Sequence, residues 1–172
     1  SFTDAWRNLG SLAYELGRYG EAGEAIHQAY LQSGGKSTNL LYQSAVAYLM
    51  AERANAALPL LEELVAESAL PQLTWYRALI LACIQSGEHA KAQRAVSGML
   101  AQHGGDPEAW LLAHQAAVSF EDYEQAALAL RVVGYMRPLA PEEEKLLGNL
   151  YNAIGVPAEA SVHLRNALDE AA

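Results

Sequence analysis

The chain has little cysteine and few cationic side chains. Its single cysteine, Cys83, excludes an internal disulfide, and the apolar run around it (79–84) predicts a small buried residue rather than a reactive thiol. Of its 172 residues, 11 are Lys or Arg and 20 are Asp or Glu, so the net charge is −9. This balance argues against nucleic acid as a partner, because neutralising phosphates needs clustered cations, and it disfavours adhesion to anionic membranes.

Long hydrophobic runs and catalytic constellations are also missing from the sequence. No uninterrupted apolar stretch reaches the roughly 18 residues of a membrane-spanning helix, so we expect no membrane insertion. No phosphate-binding loop or nucleophile elbow occurs, and the histidines are scattered without metal-ligand spacing. We therefore predict that the protein is not an enzyme and uses no metal and no cofactor. The histidines are His27, His89, His103, His114 and His163.

What the sequence does contain is a repeat. An alanine recurs at a near-constant spacing of 35, 35, 34 and 34 residues, at Ala22, Ala57, Ala92, Ala126 and Ala160. Apolar residues fall at intervals of three and four, which is typical of amphipathic helices. A small residue at a fixed register lets two helices cross closely. The pattern predicts an all-α fold, an α-α superhelix (solenoid) of about five helical hairpins.

The repeats are predicted to lie roughly at 3–36, 38–71, 73–106, 107–140 and 141–172, within a single solenoid over 1–172. The chain opens inside a helical pattern, so we expect it to be a fragment of a longer protein. Ile80 and His114 stand where the other units carry a small residue, which puts the local packing there in question.

Three motifs carry a resemblance to a known family. They are Trp6-x-x-Leu9-Gly10, Gly17-Arg18-Tyr19-x-x-Ala22 and Asp106-Pro107-Glu108-Ala109-Trp110. Together with the period, they resemble the tetratricopeptide repeat (TPR) along the whole chain. The segment from Pro138 to Ala160 also resembles the terminal repeat of bacterial TPR proteins associated with TonB-type transport systems.

The TPR resemblance implies that the first helix of each hairpin lines a concave groove. Projecting the helical period onto those helices predicts a set of groove-facing side chains for an extended or helical peptide. The candidates are Arg7, Tyr14, Tyr42, Leu49, Arg77, Ile84, Gln115, Lys145, Asn149 and Asn152.

The leading functional hypothesis is a scaffold that binds a protein or peptide, in a bacterial envelope or transport assembly. One alternative is a self-associating assembly module. Its motivation is the last hairpin, where Val162, Leu164, Ala167 and Leu168 form an apolar surface that no later helix caps. A second alternative is a secretion chaperone of the TPR type. The compartment is not determined by the sequence, and the TonB-type resemblance favours the periplasm over the cytoplasm.

Overall fold

A computed structural model describes residues 1–169, and this part of the chain contains ten α-helices and no β-strand. The helices are α1 Phe2–Glu15, α2 Tyr19–Gln32, α3 Thr38–Met50, α4 Ala54–Ala66, α5 Leu73–Gln85, α6 His89–His103, α7 Pro107–Ser119, α8 Tyr123–Met136, α9 Pro141–Ala153 and α10 Pro157–Asp169. The residues form two compact units, Ser1–Ala95 and Val96–Ala172, and the boundary falls within α6.

In the first unit, consecutive helices pack against each other from α1 to α5. The closest approach of α1 and α2 depends on Gly10, since a Cβ at this position would lie 2.5 Å from Ile26 Cγ1. Between α2 and α3, a Cβ on Gly23 would meet the Tyr48 ring at 2.8 Å, and the Ser44 hydroxyl donates to the Gly23 carbonyl. Small residues therefore set the helix spacing at both junctions.

In the second unit, α7 packs on α8, α8 on α9 and α9 on α10. The core between α8 and α9 contains Leu130, Val133 and Leu147, each at most 1% exposed. Both α7 and α9 begin with a proline, whose fixed φ angle suits the first position of a helix. The Asp106 carboxylate caps α7 by accepting a hydrogen bond from the Glu108 amide at 2.9 Å.

The recurring alanines have the structural role that the sequence predicts for them. Each of the five is at most 1% exposed, and each lies in the second helix of a sequential helix pair. The structure thus confirms the prediction that, at this position of each repeat, the packed helices leave little space for a larger side chain.

The turn inside each predicted repeat contains one residue in the left-handed backbone region at an equivalent position. Gly17, Gly87 and Gly155 have φ of 72°, 70° and 78°, whereas Glu52 and Glu121 occupy the same place with φ of 57° and 59°. Glycine adopts this conformation freely, but a residue with a Cβ is strained there. Two of the turns therefore carry a backbone cost that the other three avoid.

The two exceptions to the small-residue position are both accommodated inside the fold. Ile80 is 3% exposed and His114 is 8% exposed. Cys83 is fully buried, as predicted, and its burial raises the pKa of the thiol to about 11. Among residues 1–169, no helix is long and apolar enough to cross a membrane.

Candidate functional site

The first helices of the first two predicted repeats, α1 and α3, form the sides of an open cleft of about 320 Å³. Tyr14 and Tyr42 line it from the two sides, and Ile26 of α2, only 6% exposed, forms its floor. The remaining lining residues are Ser11, Glu15, Gln43 and Val46. We call this site the α1–α3 cleft. An apolar floor with a few polar groups at the rim is typical of a surface that receives one or two side chains of a partner.

Tyr14 is held in position by two contacts, one at its hydroxyl group and one at its ring. Its hydroxyl donates to Met50 Sδ at 2.8 Å, and its ring meets the Tyr19 ring edge-on with centroids 5.1 Å apart. The side chain nevertheless remains 39% exposed. An aromatic group that is both fixed and accessible loses little conformational entropy on binding.

The charge in the α1–α3 cleft is acidic. Among its described lining residues, Glu15 alone is charged. Arg7 lies on α1 two turns before Tyr14, is exposed, and forms an ion pair with Asp4 at 3.4 Å. Arg7, the cation predicted for this part of the groove, thus pairs with a carboxylate of its own helix.

The other predicted residues of the first unit divide into two groups. Arg77 is exposed on α5 and Ile84 is half-buried on the same helix. Leu49 differs from the prediction, because it is 7% exposed and belongs to the core. The next residue, Met50, is 44% exposed and contacts Tyr14 instead. Because α3 is apolar on nearly all sides, its hydrophobic pattern does not define which residue faces outward.

The predicted residues of the second unit are all exposed and polar. Lys145, Asn149 and Asn152 share one face of α9, since positions i, i+4 and i+7 align along a helix, and Gln115 is exposed on α7. They remain predictions as binding residues.

The helical projection of the sequence also includes Ser11 and Val46, and it missed three contributors to the α1–α3 cleft. Ile26 belongs to a second helix, which the groove projection did not consider, while Glu15 and Gln43 directly follow residues that it named. The signal for these two was their adjacency to Tyr14 and Tyr42. Nothing in the sequence indicated that the side chain of Ile26 reaches the cleft floor.

A second cleft of about 460 Å³ lies where α2 ends and α3 and α5 begin. Tyr30, Lys36 and Trp75 are among its lining residues. The Tyr30 hydroxyl donates to Glu63 Oε1 at 2.5 Å, and this hydrogen bond raises the pKa of Tyr30 to about 12. Sequence reasoning assigned none of these residues to a site, and the Tyr30 hydrogen bond joins α2 of the first predicted repeat to α4 of the second.

Among residues 1–169, no group of three or more His, Cys, Asp or Glu side chains has a geometry that could hold a metal ion. The buried His114 makes a structural contact instead, with Nδ1 at 3.0 Å from the Ala126 carbonyl oxygen.

Comparison with solved structures identifies similar folds. A crystal structure of MamA superposes with a TM-score of 0.76 at 18% identity, covering 94% of this chain and 93% of that one. A second MamA crystal structure has a TM-score of 0.79 at 18% identity, covering 98% and 91%. MamA from Desulfovibrio magneticus RS-1, from residue 41 to its end, has a TM-score of 0.75 at 14% identity, covering 98% and 94%.

These similarities establish the fold of the chain. It is an all-α helical repeat fold of the solenoid class, with TPR-type hairpins. No protein-family model matches the chain, and no curated protein sequence matches it either.

Proposed function

We propose that the chain is a non-catalytic scaffold of five TPR-type repeats that binds a protein or peptide segment. The observation that carries this proposal is the α1–α3 cleft, where Tyr14, which is fixed and accessible, and Tyr42 line a site whose floor is the buried Ile26. Helical repeats present side chains to a partner from successive helices, and aromatic anchors supply much of the energy at such surfaces.

The test uses a defined probe, a display library of random peptides of about 12 residues selected on the intact chain. The selected peptides are then titrated against purified variants by isothermal calorimetry. Replacing Tyr42→Ala is expected to weaken binding at least about tenfold, because the anchor loses its contact area. Tyr135→Ala is the matched control, since Tyr135 is a 74% exposed tyrosine on α8.

Two results would contradict the proposal. In the first, selection enriches no peptide that binds the purified chain. In the second, Tyr42→Ala and Tyr135→Ala bind the selected peptides as the parent chain does. Circular dichroism of each variant separates loss of binding from loss of fold.

Self-association is the second candidate function, and the surface of α10 favours it. Val162 and Leu168 are 52% and 72% exposed, whereas Leu164 and Ala167 are half-buried. The apolar area left on α10 is therefore smaller than the sequence suggests. Light scattering of the Leu168→Glu variant over a range of concentrations tests this surface, and unchanged association would exclude it.

The bacterial envelope or transport role and the secretion-chaperone role remain predictions. The first depends on the sequence resemblance of the segment from Pro138 to Ala160, and the second on the acidity of the chain. No contact in the described residues favours one over the other.

A further inference from the structure

The α1–α3 cleft combines two aromatic side chains, one carboxylate and an apolar floor. Tyr14 and Tyr42 line it from its two walls, Glu15 is the charged residue among its described lining residues, and the buried Ile26 forms the floor. The volume of about 320 Å³ suits one or two side chains of a partner. One incoming side chain can therefore meet apolar surface, an aromatic ring and a negative charge together.

The charge of Glu15 is not compensated by the arginines of its own hairpin. Arg7 pairs with Asp4 at 3.4 Å, and Arg18 pairs with Glu21 at 2.6 Å. Glu15 itself is exposed, and no cation among residues 1–169 is paired with it. An acidic group that enters the cleft is repelled, whereas a cation gains an ion pair.

The tyrosine rings add a second feature that attracts a cation. The face of an aromatic ring has a negative partial charge and binds a guanidinium or ammonium group within about 6 Å of its centre. Tyr14 is exposed although Met50 and Tyr19 hold it in place, and Tyr42 is half-buried on the opposite wall. The aromatic contact is thus in position before a ligand binds.

Comparison of the repeats shows that helix packing does not require this combination. At the position of Glu15, the later repeats have no acid, and the residues there are Met50, Gln85, Ser119 and Ala153. At the position of Tyr42, three of the other four repeats have a cation, namely Arg7, Arg77 and Lys145. Residues that the fold needs recur with the period, as the buried alanines do. The acid and the tyrosine are particular to this cleft, which is typical of residues that recognise a ligand.

We propose that the α1–α3 cleft binds an arginine side chain from a basic segment of the partner. Its guanidinium lies over a tyrosine ring and pairs with Glu15, and its methylene groups pack on Ile26. This inference deepens the proposed function and rests on it, because it names the chemistry that the same cleft selects. The net charge of −9 also attracts a basic segment to the chain.

Arginine fits the cleft better than lysine does. A planar guanidinium can stack on an aromatic ring while it donates two hydrogen bonds to a carboxylate. The ammonium group of lysine is compact and strongly hydrated, so it loses more hydration when it enters a partly apolar site. The cleft is therefore expected to prefer arginine over lysine.

The test uses peptides of about 12 residues that are selected by display on the intact chain and that bind Tyr42→Ala more weakly. These cleft-binding peptides are expected to share an arginine at one position. Each is then synthesised with citrulline there, the neutral isostere of arginine, and titrated by calorimetry. Citrulline is expected to weaken binding at least about tenfold, because the ion pair and the ring contact are both lost. Lysine at the same position is expected to weaken it about threefold.

A double-mutant cycle assigns the lost interaction to Glu15. Glu15→Gln is expected to weaken the arginine peptide about fivefold and to leave the citrulline peptide unchanged. Glu124→Gln is the matched control, since Glu124 is exposed on α8 and its replacement changes the net charge equally. Circular dichroism is expected to show the parent fold for both variants, because both side chains are exposed.

Nuclear magnetic resonance provides a readout that general attraction between charges does not change. The δ-methylene protons of the bound arginine are expected to shift upfield and to show contacts to tyrosine ring protons. Both signals require the guanidinium to lie against a ring. A bound peptide without them would contradict the proposal.

The outcomes separate this inference from the proposed function. If the cleft-binding peptides share an aromatic or aliphatic residue in place of arginine, or if citrulline binds as arginine does, the inference fails and the peptide-binding function stands. If Glu15→Gln and Glu124→Gln weaken the arginine peptide equally, general attraction to an acidic chain explains the binding and the inference also fails. If no selected peptide responds to Tyr42→Ala, the proposed function of the cleft fails, and this inference fails with it.

Discussion

The His114 ring nitrogen Nδ1 lies 3.0 Å from the carbonyl oxygen of Ala126, the alanine at which α7 and α8 cross. A carbonyl oxygen only accepts, so Nδ1 carries the proton and donates it. In the first and last hairpins, a Cβ on Gly10 would lie 3.4 Å from the Ala22 carbonyl oxygen, and one on Gly148 would lie 3.2 Å from that of Ala160. The small-residue position thus faces an acceptor, and histidine is tolerated there because it supplies a donor.

Replacing His114→Leu is expected to lower the free energy of unfolding by about 1 kcal/mol, because a buried hydrogen bond is lost while the apolar volume is largely kept. His114→Ala is expected to cost more, about 2–3 kcal/mol, since it also opens a cavity. Urea unfolding followed by circular dichroism measures both. Gln125→Leu, at an exposed position on α8, is the control. Equal stability of His114→Leu and the control would contradict the role assigned to the hydrogen bond.

The turn after α3 predicts a stabilising substitution. Glu52 has φ of 57°, so Glu52→Gly is expected to raise the free energy of unfolding by up to about 1 kcal/mol through release of backbone strain. Thermal unfolding provides the measurement. The reciprocal change, Gly17→Ala, is expected to destabilise by about 1 kcal/mol, and a Cβ there would contact nothing within 4 Å. A neutral Gly17→Ala would show that the strain argument is wrong.

The start of α9 predicts an acid-sensitive contribution to stability. The Arg137 guanidinium donates twice to the Glu143 carboxylate, with both N···O distances 2.7 Å, and the Ala140 amide donates to it as well. The ion pair with Arg137 is the main reason that the pKa of Glu143 is below its ordinary value. Because the folded-state pKa is lowered, this contribution is complete above the unfolded-state pKa of about 4.3 and is lost as the pH falls through the folded-state pKa.

Glu143→Gln is therefore expected to lower the free energy of unfolding at neutral pH by about 1–2 kcal/mol, and the loss diminishes in the acid range. Urea titrations at a series of pH values measure the difference between the two chains. Glu142→Gln is the matched control, since Glu142 is the exposed neighbour in the same first turn. A difference that stays constant down to strong acid would not agree with the charge-assisted contact.

The buried thiol predicts a test of native-state protection. Cys83 is 0% exposed, and burial raises its pKa to about 11, so only about one thiol in ten thousand is ionised at neutral pH. A maleimide dye is expected to label it in urea and not in buffer, as measured by mass spectrometry. Ser161→Cys adds an exposed thiol on α10 as the positive control. Labelling of Cys83 in buffer at the rate of that thiol would show that the site opens readily.

Much of the candidate site could be predicted from the sequence, and the errors of that prediction have a physical cause. Tyr14 and Tyr42 were predicted from the helical period, and the structure places both in one cleft. Leu49 was placed on the surface but is buried, because α3 is apolar around most of its circumference and the pattern leaves the facing direction open by one residue. Ile26 was missed because a projection along one helix contains no information about the side chains of the next.

The sequence by itself determined the helical class, the period and the register of the five buried alanines. These features depend on local spacing and recur in every repeat. They can therefore be recognised even though the fourth repeat has His114 in place of a small residue. Tertiary structure alone decided which apolar residues are covered. Ser44 and Ala47 of α3 are buried under α2, whereas Leu9 and Leu12, at the equivalent positions of α1, are 50% and 54% exposed. Burial at this register therefore depends on a neighbouring helix and not on the residue itself.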